Sequence, residues 1–252
     1  MPGTFSVDMS KQIKFSQGNL QYHMSTAIWR FAGNQYDYIG LANESALNNK
    51  KGWVDAFSWG ARLEPTTRSA RSTNASDYLP FLDWGVKPIE NGGNQANKWR
   101  TLTQYEWEYL LRKRPNATNL LAMGCVNGVN GLIILPDNWI SLEDVPFTAS
   151  TIKGLNNGEY YYVDNNEKNH YLDNIYSLEQ WQKMEINGAI FLPAAGMEID
   201  VEVGESGIYW SATEYGDGAN YLNMQSYFLS TLDGTLFETM CSVRLVQDVN
   251  IK

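Results

Sequence analysis

Apolar and polar positions alternate in short runs near the N-terminus. Ile13-Lys14-Phe15, Leu20-Gln21-Tyr22 and Ala27-Ile28-Trp29-Arg30-Phe31 predict a meander of strands over residues 1–35. Gly18-Asn19 is the expected hairpin connection between the first two. Residues 36–98 carry no period and predict long irregular loops, pinned by Trp-Gly pairs such as Trp59-Gly60 and Trp84-Gly85. A helical period follows. Thr103 and Glu106 form a capping-box pattern, and Trp107, Leu110 and Leu111 make one apolar stripe. Arg112, Lys113 and Arg114 suit the negative end of the helix dipole, and Pro115 stops it. Ser177 and Gln180 open a second helix with Leu178 and Trp181 on one face, ended by Asn187-Gly188.

Between the helices, Val126 to Pro136 reads as strand, Asn-Gly turn, strand. Ala189–Pro193 is a fully apolar buried strand. The last fifty residues predict an antiparallel sheet. Its strands are Ile208–Thr213, Tyr221–Ser230 and Thr235–Val246, with a turn at Gly216-Asp217-Gly218 and Gly234 in another. No internal repeat appears. The expectation is one α+β domain over residues 1–252, loop-rich, with two helices packed on small antiparallel sheets.

Composition narrows the function classes. The 252 residues are 43% hydrophobic and 19% charged, so they carry enough apolar mass for a packed core. The net charge of −9 argues against nucleic acid and against anionic membranes as partners. No apolar run approaches the ~18 residues of a membrane span, so no membrane insertion of this chain is expected. Met1-Pro2-Gly3-Thr4-Phe5 shows neither a basic start nor an apolar core of a signal peptide, which by itself would place the chain in the cytoplasm.

Candidate chemistry is sparse. Cys125 and Cys241 lack metal spacing; two free thiols are the plainer expectation, one disulfide the other. His23 and His170 lie far apart, and the acidic Asp164–Asn169 loop lacks the spacing of a calcium site. No cofactor and no metal are expected. Asp83, Glu198, Asp200 and Glu202 are the acids of the kind that a glycosidase pairs; a solvated acidic surface is the plainer reading.

Three segments resemble a known superfamily. Trp99–Tyr109 (WRTLTQYEWEY) is similar to a segment of formylglycine-generating enzymes, the sulfatase-modifying factors. Gly207–Tyr215 (GIYWSATEY) is similar to Fibrobacter major-paralogous domains, and Ser242–Val246 (SVRLV) to the closing motif of both. Asn187–Gly196 (NGAIFLPAAG) resembles a run in secreted proteins of gut Bacteroidetes. The resemblance spans about residues 95–247. It implies a C-type-lectin-like fold with its core over residues 99–247, with Trp107, Trp210 and Arg244 as scaffold and Glu106 or Glu108 as the partner of Arg244. It also implies export, as a secreted protein or lipoprotein whose leader is removed.

The same resemblance tests activity. Formylglycine-generating enzymes hold copper on a cysteine pair, and between Trp210 and Arg244 this chain has only Cys241. Glu64-Pro65 is followed by Thr66, so the calcium-lectin motif is broken. No enzyme activity is therefore expected. Variable proteins of diversity-generating retroelements use the same type of fold to display ligand-binding residues before the closing arginine motif. Here that segment supplies Glu214, Tyr215, Asp217, Asn220, Tyr221, Asn223, Gln225 and Tyr227, and Trp59 joins them as an aromatic candidate. Tyr offers rigid contact area, and Asn offers adaptable hydrogen bonding. The expected function is a non-catalytic module displayed at or outside the bacterial surface, binding a protein or glycan through the 213–227 face. A structural piece of a surface assembly, or an enzyme of unknown chemistry with a pocket near Trp59 or Trp84, are the alternatives.

Overall fold

A computed structural model describes residues 1–150, 153–154, 161–162, 168–198 and 200–249. Along the chain run β1 (Phe5–Ser6), β2 (Gln12–Phe15), β3 (Leu20–His23), β4 (Ile28–Phe31), α1 (Ala42–Asn49) and β5 (Trp53–Val54). Short 3-10 turns lead to α2 (Gln104–Glu108), continued by a π-helical turn over Tyr109–Lys113. Then come β6 (Leu121–Val126), β7 (Val129–Ile134), β8 (Lys153–Gly154), β9 (Tyr161–Tyr162), β10 (Ile175–Tyr176), α3 (Leu178–Ile186) and β11 (Ile190–Pro193). The C-terminal part holds β12 (Ser206–Tyr215), β13 (Gly218–Gln225), β14 (Phe228–Ser230), β15 (Gly234–Leu236) and β16 (Val246–Val249).

The strands form small sheets, in the orders β1-β2-β16, β4-β3-β5, β10-β6-β7-β11 and β12-β13-β14-β9-β8, with β15 on the other end of β13. All pairings are antiparallel except β10 with β6. The chain is thus a loop-rich α+β protein, with three α-helices among the described residues.

Two sheets are buried on both faces, which explains their unbroken apolar runs. From β12 and β13, Tyr209, Leu222 and Met224 enter one core, while Ile208, Trp210 and Ala219 enter a second. From β7 and β11, Leu132, Ile134, Ile190 and Leu192 face the first core, and Ile133 and Phe191 face a third, with Trp181 and Met184 of α3.

Both capping boxes form as expected. Thr103 Oγ1 accepts from Glu106 N at 3.2 Å, while Glu106 Oε2 accepts from Thr103 N at 3.0 Å; Ser177 and Gln180 repeat the arrangement. Trp107, Leu110 and Leu111 are buried together. On α3, Trp181 is buried but Leu178 points out, so the buried pair is Trp181 with Met184. The Asn127-Gly128 turn joins β6 to β7.

Several expectations need correction. Gly18-Asn19 is not a hairpin: β2 pairs with β16, and β3 pairs with β4 and β5. The segment crosses between sheets, held by Ser16 N to Leu245 O and Leu20 N to Val243 O, both 2.9 Å. Residues 36–98 are not wholly irregular, because they contain α1. Tyr221–Ser230 is not one strand, because Ser226-Tyr227 turns β13 into β14. Gly234 lies in a strand, where the Tyr215 ring leaves no room for a Cβ.

The partner expected for Arg244 is also wrong. Glu106 is taken by Arg100 (2.7 and 2.9 Å) and Lys11 (2.9 Å), and Glu108 by Lys113 at 3.0 Å. Arg244 is buried and donates instead to Gln35 Oε1 at 2.8 Å and Asn19 Oδ1 at 3.4 Å. Neutral amides stand in for a carboxylate, and burial lowers the pKa of Arg244 to about 10.

Candidate functional site

The strand alternation of β13 sorts the expected binding residues. Asn220, Leu222 and Met224 are buried, and Tyr221, Asn223 and Gln225 are half-buried. On β12, the second core covers the Ile208 and Trp210 side, and the first core covers the Tyr209 side. Tyr221 packs edge-on against Trp210 at 6.4 Å.

The β12 register against β13 shifts between Trp210 and Glu214, so β12 carries a bulge. The bulge frees backbone groups for other elements. Ser211 O accepts Trp59 Nε1 at 2.8 Å, and Ala212 N donates to Leu102 O at 2.9 Å. Trp59 is therefore not a ligand residue. It is completely buried, stacked on Phe237 at 4.7 Å and packed on Phe81 at 4.5 Å. Trp84 is likewise buried, so neither ring lines an open pocket.

Asn220 is structural as well. Its Nδ2 donates to Asp233 O at 3.1 Å and Leu232 O at 3.4 Å, tying β13 to the loop before β15. Asn220→Ala leaves these carbonyls without that donor. It is expected to cost about 1–2 kcal/mol, read by urea unfolding, with ligand binding unchanged in the folded fraction.

Glu214, Tyr215 and Asp217 are exposed at the hairpin tip. Gln225 lies at the other end of β13, about 23 Å away at ~3.3 Å per residue. The nine expected residues therefore do not make one site. Asn223 stays inside the sheet, donating to Asp233 Oδ2 at 2.8 Å.

Gln225 and Tyr227 do meet a groove of about 400 Å³. Its other walls are Asn130 of β7, the Asn169–Tyr171 turn, the loop from Glu202 to Ser206, and Ser226. Each wall is fastened. Asn130 Nδ2 donates to Gly204 O at 3.0 Å, Tyr171 Oη to Glu205 O at 2.8 Å, and His170 N to Ser226 O at 3.2 Å. Asn169 Oδ1 caps its own turn through Tyr171 N at 3.1 Å. Burial first, then the nearby Tyr209, Glu202 and Glu205, pushes the Tyr171 hydroxyl well above the usual tyrosine range.

One polar atom in this groove stands out. Ser206 is completely buried, and its Oγ has no hydrogen-bond partner among the described residues. A buried hydroxyl left unpaired costs free energy, so Ser206 is a locally destabilising position under the groove wall. Amides, hydroxyls and the Glu202 and Glu205 carboxylates around it form an acceptor-rich surface for donor-bearing ligands.

The sequence reading missed Asn130, Asn169, Tyr171, Ser206 and Glu205. No local pattern marks them, since three separate chain segments deliver them.

Of the four acids weighed for glycoside chemistry, Asp83 and Glu198 serve the fold, Asp200 is exposed, and Glu202 lines the groove. Asp83 accepts from Gly85 N (2.9 Å), Thr101 N (2.8 Å) and Thr101 Oγ1 (3.0 Å). Glu198 binds Arg71 in two bonds of 2.9 and 2.6 Å and accepts from Met240 N at 3.2 Å, and Asp200 lies 3.5 Å from Arg68. His23 Nδ1 is bonded to Thr26 Oγ1 at 2.9 Å, and His170 Nδ1 to Asp173 Oδ2 at 2.5 Å. Cys125 and Cys241 are free thiols. Among the described residues, no group of three or more His, Cys, Asp or Glu is placed to hold a metal ion. The loop weighed for calcium falls outside the described residues at 164–167. Among the described residues, no helix is long and apolar enough to cross a membrane.

Comparison with protein-family models, with curated proteins and with solved structures found no match in any of the three.

Proposed function

We propose that this chain is a non-catalytic binding module of C-type-lectin-like fold, displayed at or outside the bacterial surface. Its ligand is a protein segment or glycan that presents hydrogen-bond donors to the Gln225–Tyr227 groove. The observation that carries this reading is the polar groove of about 400 Å³ that Gln225 and Tyr227 line, with walls tied together by the Asn130–Gly204 and Tyr171–Glu205 hydrogen bonds. The sequence resemblance adds to it through the buried Trp107, Trp210 and Arg244, which fit the scaffold role it implies. Tyr227 suits recognition, because it offers a large contact area at low side-chain entropy cost, and Gln225 and Ser226 add adaptable hydrogen bonding.

The test is a glycan-and-protein array probed with the wild type and with the Gln225→Ala/Tyr227→Ala double variant. A hit should weaken at least about tenfold, or ~1.4 kcal/mol, while the melting temperature stays unchanged. An undiminished hit removes the groove from the reading. An array without hits overturns the binding module in favour of a structural part of a surface assembly.

A further inference from the structure

A second groove lies on another sheet and shares no residue with the first. It measures about 530 Å³, within the range of small-molecule sites. Its floor is aromatic: Tyr22 of β3 and Trp29 of β4 are cross-strand partners, with ring centroids 4.7 Å apart. Trp29 is half-buried and lines the groove, and its ring also packs on Phe57 at 5.5 Å. The rim carries Arg62, Glu64, Lys87 and Glu90.

The walls are rigid. The Trp29 backbone bridges to Ile89, Ala61 N donates to Leu82 O at 2.7 Å, and Arg62 Nε donates to Pro80 O at 2.6 Å. Two lining residues, Ala27 and Asn94, hold positive φ values of 55° and 51°. That conformation is uncommon for a residue other than glycine, and for alanine it is strain held by the surrounding fold.

The charges decide the ligand class. Two cations and two carboxylates cancel, so an ionic ligand gains little from the net field. The rim nevertheless offers strong donors and strong acceptors around an apolar aromatic floor. A neutral ligand with one apolar face and a ring of hydroxyls matches both. We propose that this groove binds a pyranose ring of a glycan, stacked on Trp29 and hydrogen-bonded to the Arg62, Glu64, Lys87 and Glu90 rim, without calcium. This site is independent of the Gln225–Tyr227 groove.

The test titrates the full chain, in EDTA, with cellohexaose, xylohexaose, mannohexaose and chitohexaose, read by tryptophan fluorescence and calorimetry. At least one should bind. Trp29→Ala should weaken it at least about tenfold, Trp29→Phe should keep it within about threefold, and Tyr227→Ala should leave it unchanged. If Trp29→Ala does not fold, Glu64→Gln and Lys87→Met decide, each expected to weaken binding several-fold. Binding by none of the four sugars overturns the proposal. So does binding that survives Trp29→Ala in a folded protein, or binding lost only in Tyr227→Ala, which would assign the sugar to the first groove.

Discussion

Gln35→Leu is expected to cost about 4 kcal/mol or more, at ~1–3 kcal/mol for each buried group left unpaired. Gln35 is completely buried and sits at a junction of four contacts. Its Oε1 accepts from Arg244 Nη2 at 2.8 Å and from Phe191 N at 2.9 Å. Its Nε2 donates to Ala189 O at 3.0 Å and Glu185 Oε1 at 2.9 Å. Leucine removes all four and leaves a buried guanidinium held only by the longer bond to Asn19. Arg244→Met should cost less, because it also removes the desolvated charge. The double variant should be less destabilised than the sum of the singles, since the two side chains touch. Urea unfolding of the four proteins checks this. Strict additivity would show that the Gln35–Arg244 contact carries no energy.

The second large effect is a fall in stability as pH rises from about 4 to 6. Asp55 is buried, and desolvation raises its pKa from 3.8 to about 6. Asn43 Nδ2 and Ile39 N donate to it at 2.8 and 2.7 Å, but they offset only part of the burial. Between the two values the folded state binds more protons than the unfolded state, so the slope of stability against pH is negative. The contribution is fully present below pH 3.8 and lost by about pH 6, a change of ~3 kcal/mol at 1.36 kcal/mol per pH unit.

Ion-paired acids act in the opposite sense and lower down. Burial is the largest single influence on Glu106 and Asp173 and pushes both carboxyls up, but the hydrogen bonds and charges of Arg100 and Lys11 on the one, and of Lys168 and His170 on the other, together outweigh it and hold both pKa values below the usual range. Their stabilisation is lost as pH falls below the usual carboxylate range. Melting temperature should therefore peak near the usual carboxylate range, at about pH 4, and decline towards pH 6. Asp55→Asn should flatten that decline while losing one hydrogen bond. An equal decline in Asp55→Asn would rule out Asp55 as its source.

The sequence alone determined the locally encoded elements. Thr103 with Glu106, and Ser177 with Gln180, set two helix starts, because capping uses residues three apart. Asn127-Gly128 set a hairpin for the same reason. The run Ala189–Pro193 announced a strand buried on both faces, since only such a strand can be apolar at every position.

What depends on distant segments was decided by the tertiary structure. Helix α1 has no side-chain cap hydrogen bond, and it is tied to β5 through Asn43 and Asp55. Arg244 found amides of residues 19 and 35 rather than a carboxylate of α2. Trp59 went into the core because a bulge in β12 offered its indole a carbonyl. Tyr215 and Tyr227, both in the expected 213–227 segment, ended at opposite ends of the β12–β13 hairpin. The groove that keeps Gln225 and Tyr227 draws its other walls from residues 130, 169–171 and 202–206. Long-range packing alone brings these segments together, since hydrophobic periodicity records which side of an element is buried but not what covers it.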